Sequence, residues 1–272
     1  MTMSNQTTTV PKASEIVFPA ASPLCSFKQR VGVTDVEISY SRPGVKGRKV
    51  FGGLVPYGKV WRTGANQATK LTVGTPVKLN GHEVAAGTYS IFSIPGKDEW
   101  TIILNKELEP MGTNKYDEKL DVLRLTVKPS ALDHTVENMH VEIDPISDTE
   151  ASLDILWEKT KVSVKIEVNF VDELTSTIEA MMSSNQEGKP HFQAALFYFN
   201  HGKDLEKAKK WVDAAIAERP IYPFHFTKAR ILEKLGDKAG ALALAKEAAE
   251  AAQKANDTGF AERINEFIKQ NS

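Results

Sequence analysis

The hydrophobic period of this chain changes once, just after Asn169, and that change constrains the fold more than any other feature. Before it, apolar residues alternate. In Thr34-Asp-Val-Glu-Ile-Ser-Tyr40, Val36, Ile38 and Tyr40 share one face while Asp35, Glu37 and Ser39 share the other, as the two-residue period of a strand requires. Further strands are expected at 71–73, 77–79, 88–94, 99–105, 122–128, 136–144, 152–158 and 162–169. Asn80-Gly81 marks a hairpin because both turn positions need positive φ. Pro95-Gly96-Lys-Asp makes a second turn. Nine or ten short strands separated by turns imply an antiparallel β-sandwich or a flattened barrel.

After Asn169 helix formers dominate, and Pro, Gly and Asp fall where helices start or stop. Helices are expected at 172–184, 190–201, 205–218, 222–235, 238–254 and 257–270. Pro190 and Pro223 suit a first helical turn, and Gly188, Gly202 and Gly236 suit helix ends. Ala208, Val212, Ala215 and Pro220 have the spacing of a tetratricopeptide second helix. Ala241, Ala245 and Ala248 repeat it 33 residues later, against an expected period of about 34. The fold class is therefore α+β as a whole: residues 1–21 a flexible tail, 22–170 the β domain, 171–272 a tetratricopeptide-like helical domain.

A chain of 272 residues accommodates two domains, each with its own core. No apolar run approaches the ~20 residues that cross a bilayer. With one cysteine, Cys25, the chain holds no intrachain disulfide and no multi-cysteine metal site, and Cys25 is expected as a small buried strand residue. Met1-Thr-Met-Ser-Asn-Gln-Thr-Thr-Thr-Val-Pro-Lys has neither the basic nor the apolar region of a secretory signal. Its Thr-, Ser- and Pro-rich character matches an exported protein whose leader has been removed.

Charge is segregated. Between Ile38 and His82 there is no Asp or Glu, yet the segment carries Arg42, Lys46, Arg48, Lys49, Lys59, Arg62, Lys70 and Lys78. The chain has 34 basic and 35 acidic residues, so the remainder is left with an acidic excess. Within the segment, Arg42, Lys46, Arg48, Tyr57, Trp61, Arg62 and Asn66 are the candidate ligand-binding residues. Arginine forks grip carboxylate, phosphate or sulfate, and Tyr57 and Trp61 offer faces to a ring. The competing readings are pairing of these charges with the acidic remainder, including the helical domain, and ordinary solvated loops.

Other chemistries find less. His140, Glu142 and Asp144 share a strand face in a pattern open to a divalent metal, but Met139, Val141 and Ile143 make the opposite face apolar, so the trio suits a solvent side. No metal and no cofactor is expected. The balance of charge lacks the broad basic excess of a nucleic-acid-binding domain, and 42–48 lacks the spacing of a phosphate-binding loop. There is no nucleophile elbow, metalloprotease helix or dinucleotide fingerprint. An enzyme built on this segment would draw on a carboxylate from another strand, such as Asp98 or Glu99. Trp100, Trp157 and Trp211 read as core residues.

The chain resembles a bacterial family catalogued as a domain of unknown function, number twenty-nine eleven, typical of exported proteins in Bacteroidetes and related groups. The resemblance runs through Gln29-Arg-Val-Gly-Val-Thr-Asp-Val, Tyr40-Ser-Arg-Pro-Gly-Val-Lys-Gly-Arg48, Val55-Pro-Tyr-Gly-Lys-Val-Trp-Arg-Thr-Gly-Ala-Asn66 and Gly87-Thr-Tyr-Ser-Ile-Phe-Ser-Ile-Pro-Gly96, and continues at Trp100 and Trp157. It implies a β domain behind a cleaved export signal and assigns no activity and no catalytic residue. Together these readings lead to an extracytoplasmic module binding an anionic or sugar-like small molecule, with helices 171–272 as a protein-interaction arm. An enzyme acting on a carbohydrate or small acidic substrate is the alternative. A structural protein whose basic segment docks an acidic helical domain is the third reading. Location is periplasmic or secreted if a leader has been trimmed, otherwise cytoplasmic.

Overall fold

The computed structural model describes residues 18–108 and 112–272; most of the expected tail lies outside them. The chain forms two compact units that divide between Phe170 and Val171.

Among the described residues of the first unit, ten strands build two antiparallel sheets. They are β1 (Leu24–Val31), β2 (Thr34–Ser41), β3 (Thr69–Val73), β4 (Val77–Leu79), β5 (His82–Val84), β6 (Gly87–Ile94), β7 (Trp100–Asn105), β8 (Asp121–Val127), β9 (Ser130–Pro145) and β10 (Glu150–Val168). Sheet orders are β1-β2-β3-β6-β7-β8 and β5-β4-β10-β9. The two sheets remain separate, which makes the unit a sandwich and not a closed barrel. Val36, Ile38, Leu71, Ile91 and Leu104 are buried on the first sheet, and Met139, Val141, Ile155 and Val164 on the second. Tyr40 ties the layers: its hydroxyl accepts from the Val141 amide at 3.1 Å and donates to the Val141 carbonyl at 3.4 Å. Burial holds this phenol above its ordinary pKa.

One departure from the sequence pattern has a physical cause. The expected strands 152–158 and 162–169 are one strand, β10, carrying a bulge where Glu158 sits at φ +56 and the pairing with β9 shifts register. Odd-numbered Leu153, Ile155 and Trp157 are buried before the bulge, and even-numbered Val162, Val164 and Ile166 after it. The left-handed backbone at Glu158 exchanges the two faces of β10, so the alternation breaks without the strand ending, and the extra residues of the irregularity lie on β9, where 140 to 131 stand opposite 156 to 160. β1 alternates exposed and more covered residues along its length, with Cys25 and Phe27 on the covered side, and pairs with β2. Cys25 lies on β1 half-buried.

The second unit holds α1 (Val171–Ser183), α2 (His191–Asn200), α3 (Leu205–Glu218), α4 (Tyr222–Lys234), α5 (Lys238–Lys254) and α6 (Thr258–Asn271), each within a residue or two of expectation at either end. Asp204, Asp237 and Asp257 cap α3, α5 and α6 by accepting amide hydrogen bonds from the first turn. The small positions Ala195, Ala208, Ala215, Ala229, Ala241, Ala245 and Ala248 are all buried. A cluster of α2, α3 and α4 side chains centres on Tyr198, Val212 and Ile231; a second joins α4, α5 and α6 through Phe226, Ala245 and Ile264. α4 serves both.

Candidate functional site

The connection from β2 to β3 is long, and it contains both basic stretches of interest. It is held to the sandwich by isolated bridges pairing Gly44 with Asn138 and Trp61 with Ser93. Because Trp61 pairs with Ser93, it points the same way and enters the core at 7 % exposure. There it stacks on Trp157 with centroids 5.8 Å apart, and Phe51 meets Trp100 edge to face at 4.7 Å. The Trp61 indole donates to the Gly64 carbonyl at 3.1 Å. Trp157 Nε1 is buried with no hydrogen-bond partner.

The seven candidate residues do not converge. Arg42 donates from Nε to the Met139 carbonyl at 3.1 Å, and its Nη2 lies 3.4 Å from His140 Nδ1. Arg48 closes its own turn, donating to the Val45 carbonyl at 3.0 Å and the Gly44 carbonyl at 2.6 Å. Lys46 is exposed with φ +50, and its amide donates to Glu137 Oε1 at 2.8 Å. Asn66, also at positive φ, donates from Nδ2 to the Ser22 carbonyl at 3.3 Å and to Ser41 Oγ at 3.2 Å. Arg62 is half-buried with Nε wholly covered and unpartnered. Burial alone pulls its pKa below the usual arginine value, and no carboxylate offsets it.

Tyr57 stands at a cleft. Its ring lies against Gly52, which has φ +78 and whose place a Cβ would take 2.5 Å from Tyr57 Cε2. Only glycine allows that approach. Tyr57 keeps 38 % of its surface exposed and, with Phe51, Gly96, Lys97, Trp100, Ala131 and Lys159, lines a cleft of about 220 Å³. Past Lys97 the cleft opens into a wider basin of about 720 Å³, bordered by Asp98, Glu99, Lys128 and Pro129. Lys97, Lys128 and Lys159 form no ion pair among the described residues. The β10 bulge supplies one wall by turning Lys159 and Thr160 to this end of the sandwich.

Sequence reasoning included Tyr57 and missed Lys97, Lys128 and Lys159, because they come from two separate connections and from the middle of β10. The charge argument also changes. Lys78 pairs with Glu83 at 3.3 Å, whereas the side-chain charges of Lys46, Lys49, Lys59 and Arg62 have no carboxylate partner among the described residues. Residues 171–272 hold fifteen carboxylates against fourteen Lys and Arg, so the helical domain is not the acidic body that the docking reading requires. His140 Nε2 lies 3.2 Å from Glu142 Oε2, and no cluster of three metal-binding side chains occurs among the described residues. Among the described residues no helix is long and apolar enough to cross a membrane.

Fold and site together define a two-sheet antiparallel sandwich with an aromatic-floored cleft at one end, followed by six helices. A family model described as a protein of unknown function, DUF2911, matches residues 22–166, more than half of the chain. The chain belongs to that family. No curated protein and no solved structure matches it.

Proposed function

We propose that the β unit is a binding module for an anionic or sugar-like small molecule, and that the ligand occupies the cleft beneath Tyr57. The observation that carries this reading is the pairing of an exposed tyrosine ring with the unpartnered ammonium groups of Lys97 and Lys159 around one cleft, with Lys128 on the basin beside it. A ring face takes the apolar face of a sugar, and the lysines take a carboxylate or phosphate. Arg42 and Arg48 then shape the loop, each bound to backbone carbonyls, and do not contact the ligand. Arg62 remains a second anion contact on the same connection. Function outside the cytoplasm, as for the exported proteins that the chain resembles, suits a sugar or acid ligand, and the helical unit acts as a protein-interaction arm.

A thermal-shift screen of acidic sugars, sugar phosphates and neutral sugars tests this reading, since a ligand bound to the native state raises the Tm by mass action. Tyr57→Ala and Lys159→Ala should each abolish the shift while leaving the unliganded Tm within a few degrees. If no compound shifts the wild type, the small-molecule reading is abandoned. An enzyme on the same site is the second reading, favoured by Asp98 and Glu99 on the basin that continues the cleft. It requires that a bound ligand be consumed and that Glu99→Gln stop consumption without abolishing binding.

A further inference from the structure

The cleft beneath Tyr57 does not end at its own walls. Lys97 and Pro129 line both it and the basin beyond, so the two form one continuous concavity. Two connections build the border of the basin. The turn from β6 to β7 is tight, since a Cβ on Gly96 would strike the Glu99 carbonyl oxygen, and it presents Lys97, Asp98 and Glu99 exposed in succession. The Pro95 carbonyl of this turn accepts from the Gly58 amide at 2.8 Å, which fixes it beside the loop that carries Tyr57. Lys128 and Pro129 take the chain from β8 to β9. Because β7 and β8 are antiparallel with Trp100 opposite Val127, Glu99 and Lys128 come next to each other where the pairing ends. They form no ion pair, and the Asp98 carboxylate has no partner among the described residues.

The two parts differ in size and in charge. Sites that enclose a drug-sized molecule hold about 300–1,000 Å³; the cleft, at about 220 Å³, is smaller, and the basin, at about 720 Å³, lies within that range. The charged side chains of the cleft are lysines alone, Lys97 and Lys159, whereas the basin adds Asp98 and Glu99 together with Lys128. A single ring against Tyr57 fills the cleft and leaves the unpaired charges of the basin without a role. We infer that cleft and basin together take a chain: an acidic oligosaccharide in which uronic acid units are separated by neutral, hydroxyl-bearing ones. One uronate stacks on Tyr57 with its carboxylate at Lys97 and Lys159. The neutral unit that follows crosses Asp98 and Glu99, which as ionised carboxylates only accept and so take sugar hydroxyls. The next carboxylate reaches Lys128 in a charge-assisted bond. An unbroken polyanion such as polyphosphate or a nucleic acid instead sets like charge against Asp98 and Glu99. This inference rests on the reading of the cleft as an anionic-sugar site and extends it from one ring to a chain.

Isothermal titration calorimetry with the full chain tests it. The probes are glucuronic acid, a tetrasaccharide alternating glucuronic acid with N-acetylglucosamine, neutral cellotetraose, and two unbroken polyanions, tetragalacturonic acid and inorganic polyphosphate. The alternating tetrasaccharide should bind at least about tenfold more tightly than glucuronic acid. Lys128→Ala and Asp98→Ala should each take back most of that gain; both residues are exposed, and circular dichroism checks that the variants fold. If the tetrasaccharide binds no better than the single ring, or the variants keep the whole gain, the chain is refuted and the cleft reading stands. If cellotetraose or either unbroken polyanion binds as tightly as the alternating chain, the class of ligand assigned here is overturned. If neither glucuronic acid nor any of the chains binds, the cleft reading fails and this inference fails with it.

Discussion

Tyr198 shows how one side chain records its surroundings. It is 1 % exposed, and its hydroxyl donates to Glu179 Oε1 at 2.8 Å. Burial, then the adjacent carboxylate, push its pKa up to about 12 from an ordinary 10.0. The sign follows: a raised acid contributes its stabilisation in full below the unfolded pKa and loses it as pH rises through the folded one. Phenolate absorbance should therefore show one tyrosine titrating near 12, absent in Tyr198→Phe, with helical signal falling between those two values. A second contrast concerns arginines that composition cannot distinguish. Arg42→Met uncovers the Met139 carbonyl and should cost about 1–2 kcal/mol in urea denaturation. Arg62→Met removes a half-buried charge with no counter-ion and should change stability by less than about 0.5 kcal/mol. In the sequence both looked alike, because a residue's partner is a tertiary fact; Arg42 meets a strand 97 positions away.

At the level of elements, what the sequence disclosed tracks local punctuation. The helices were legible almost to the residue because Asp204, Asp237, Gly202 and Gly236 act within a turn of where they stand. Asp204→Ala removes the acceptor of the Glu206 and Lys207 amides, both at 3.0 Å, and should destabilise the helical unit by about 1 kcal/mol. The long strand β10 was read as two, because a bulge reverses the exposed face just as a turn would. The cleft was partly visible in Tyr57 and invisible in its lysines, which no spacing connects. Gly52→Ala tests how the loop presents Tyr57: the strain of φ +78 and the collision with its ring should cost about 1–3 kcal/mol. Ligand binding should fall with it, as the tyrosine is displaced.

For the whole molecule, net charge misled in an instructive way. An excess of acid outside 38–82 suggested an internal partner for the basic segment, yet residues 1–170 carry twenty acidic and twenty basic side chains, and the helical unit is nearly balanced too. Acid and base are interleaved on neighbouring strands, as in the pairs Lys28 with Glu37 at 2.5 Å and Lys78 with Glu83 at 3.3 Å. Unpartnered cations are what remains after that local pairing, and three of them, Lys97, Lys128 and Lys159, border the Tyr57 cleft and the basin beside it. The claim at the centre of this account is that the Tyr57 cleft is a ligand site. Its most direct measurement is a crystal of the full chain soaked with a hexuronic acid. The account predicts difference density against the Tyr57 ring with a carboxylate between Lys97 and Lys159. An empty cleft beside density at Arg42 and Arg48 would contradict it.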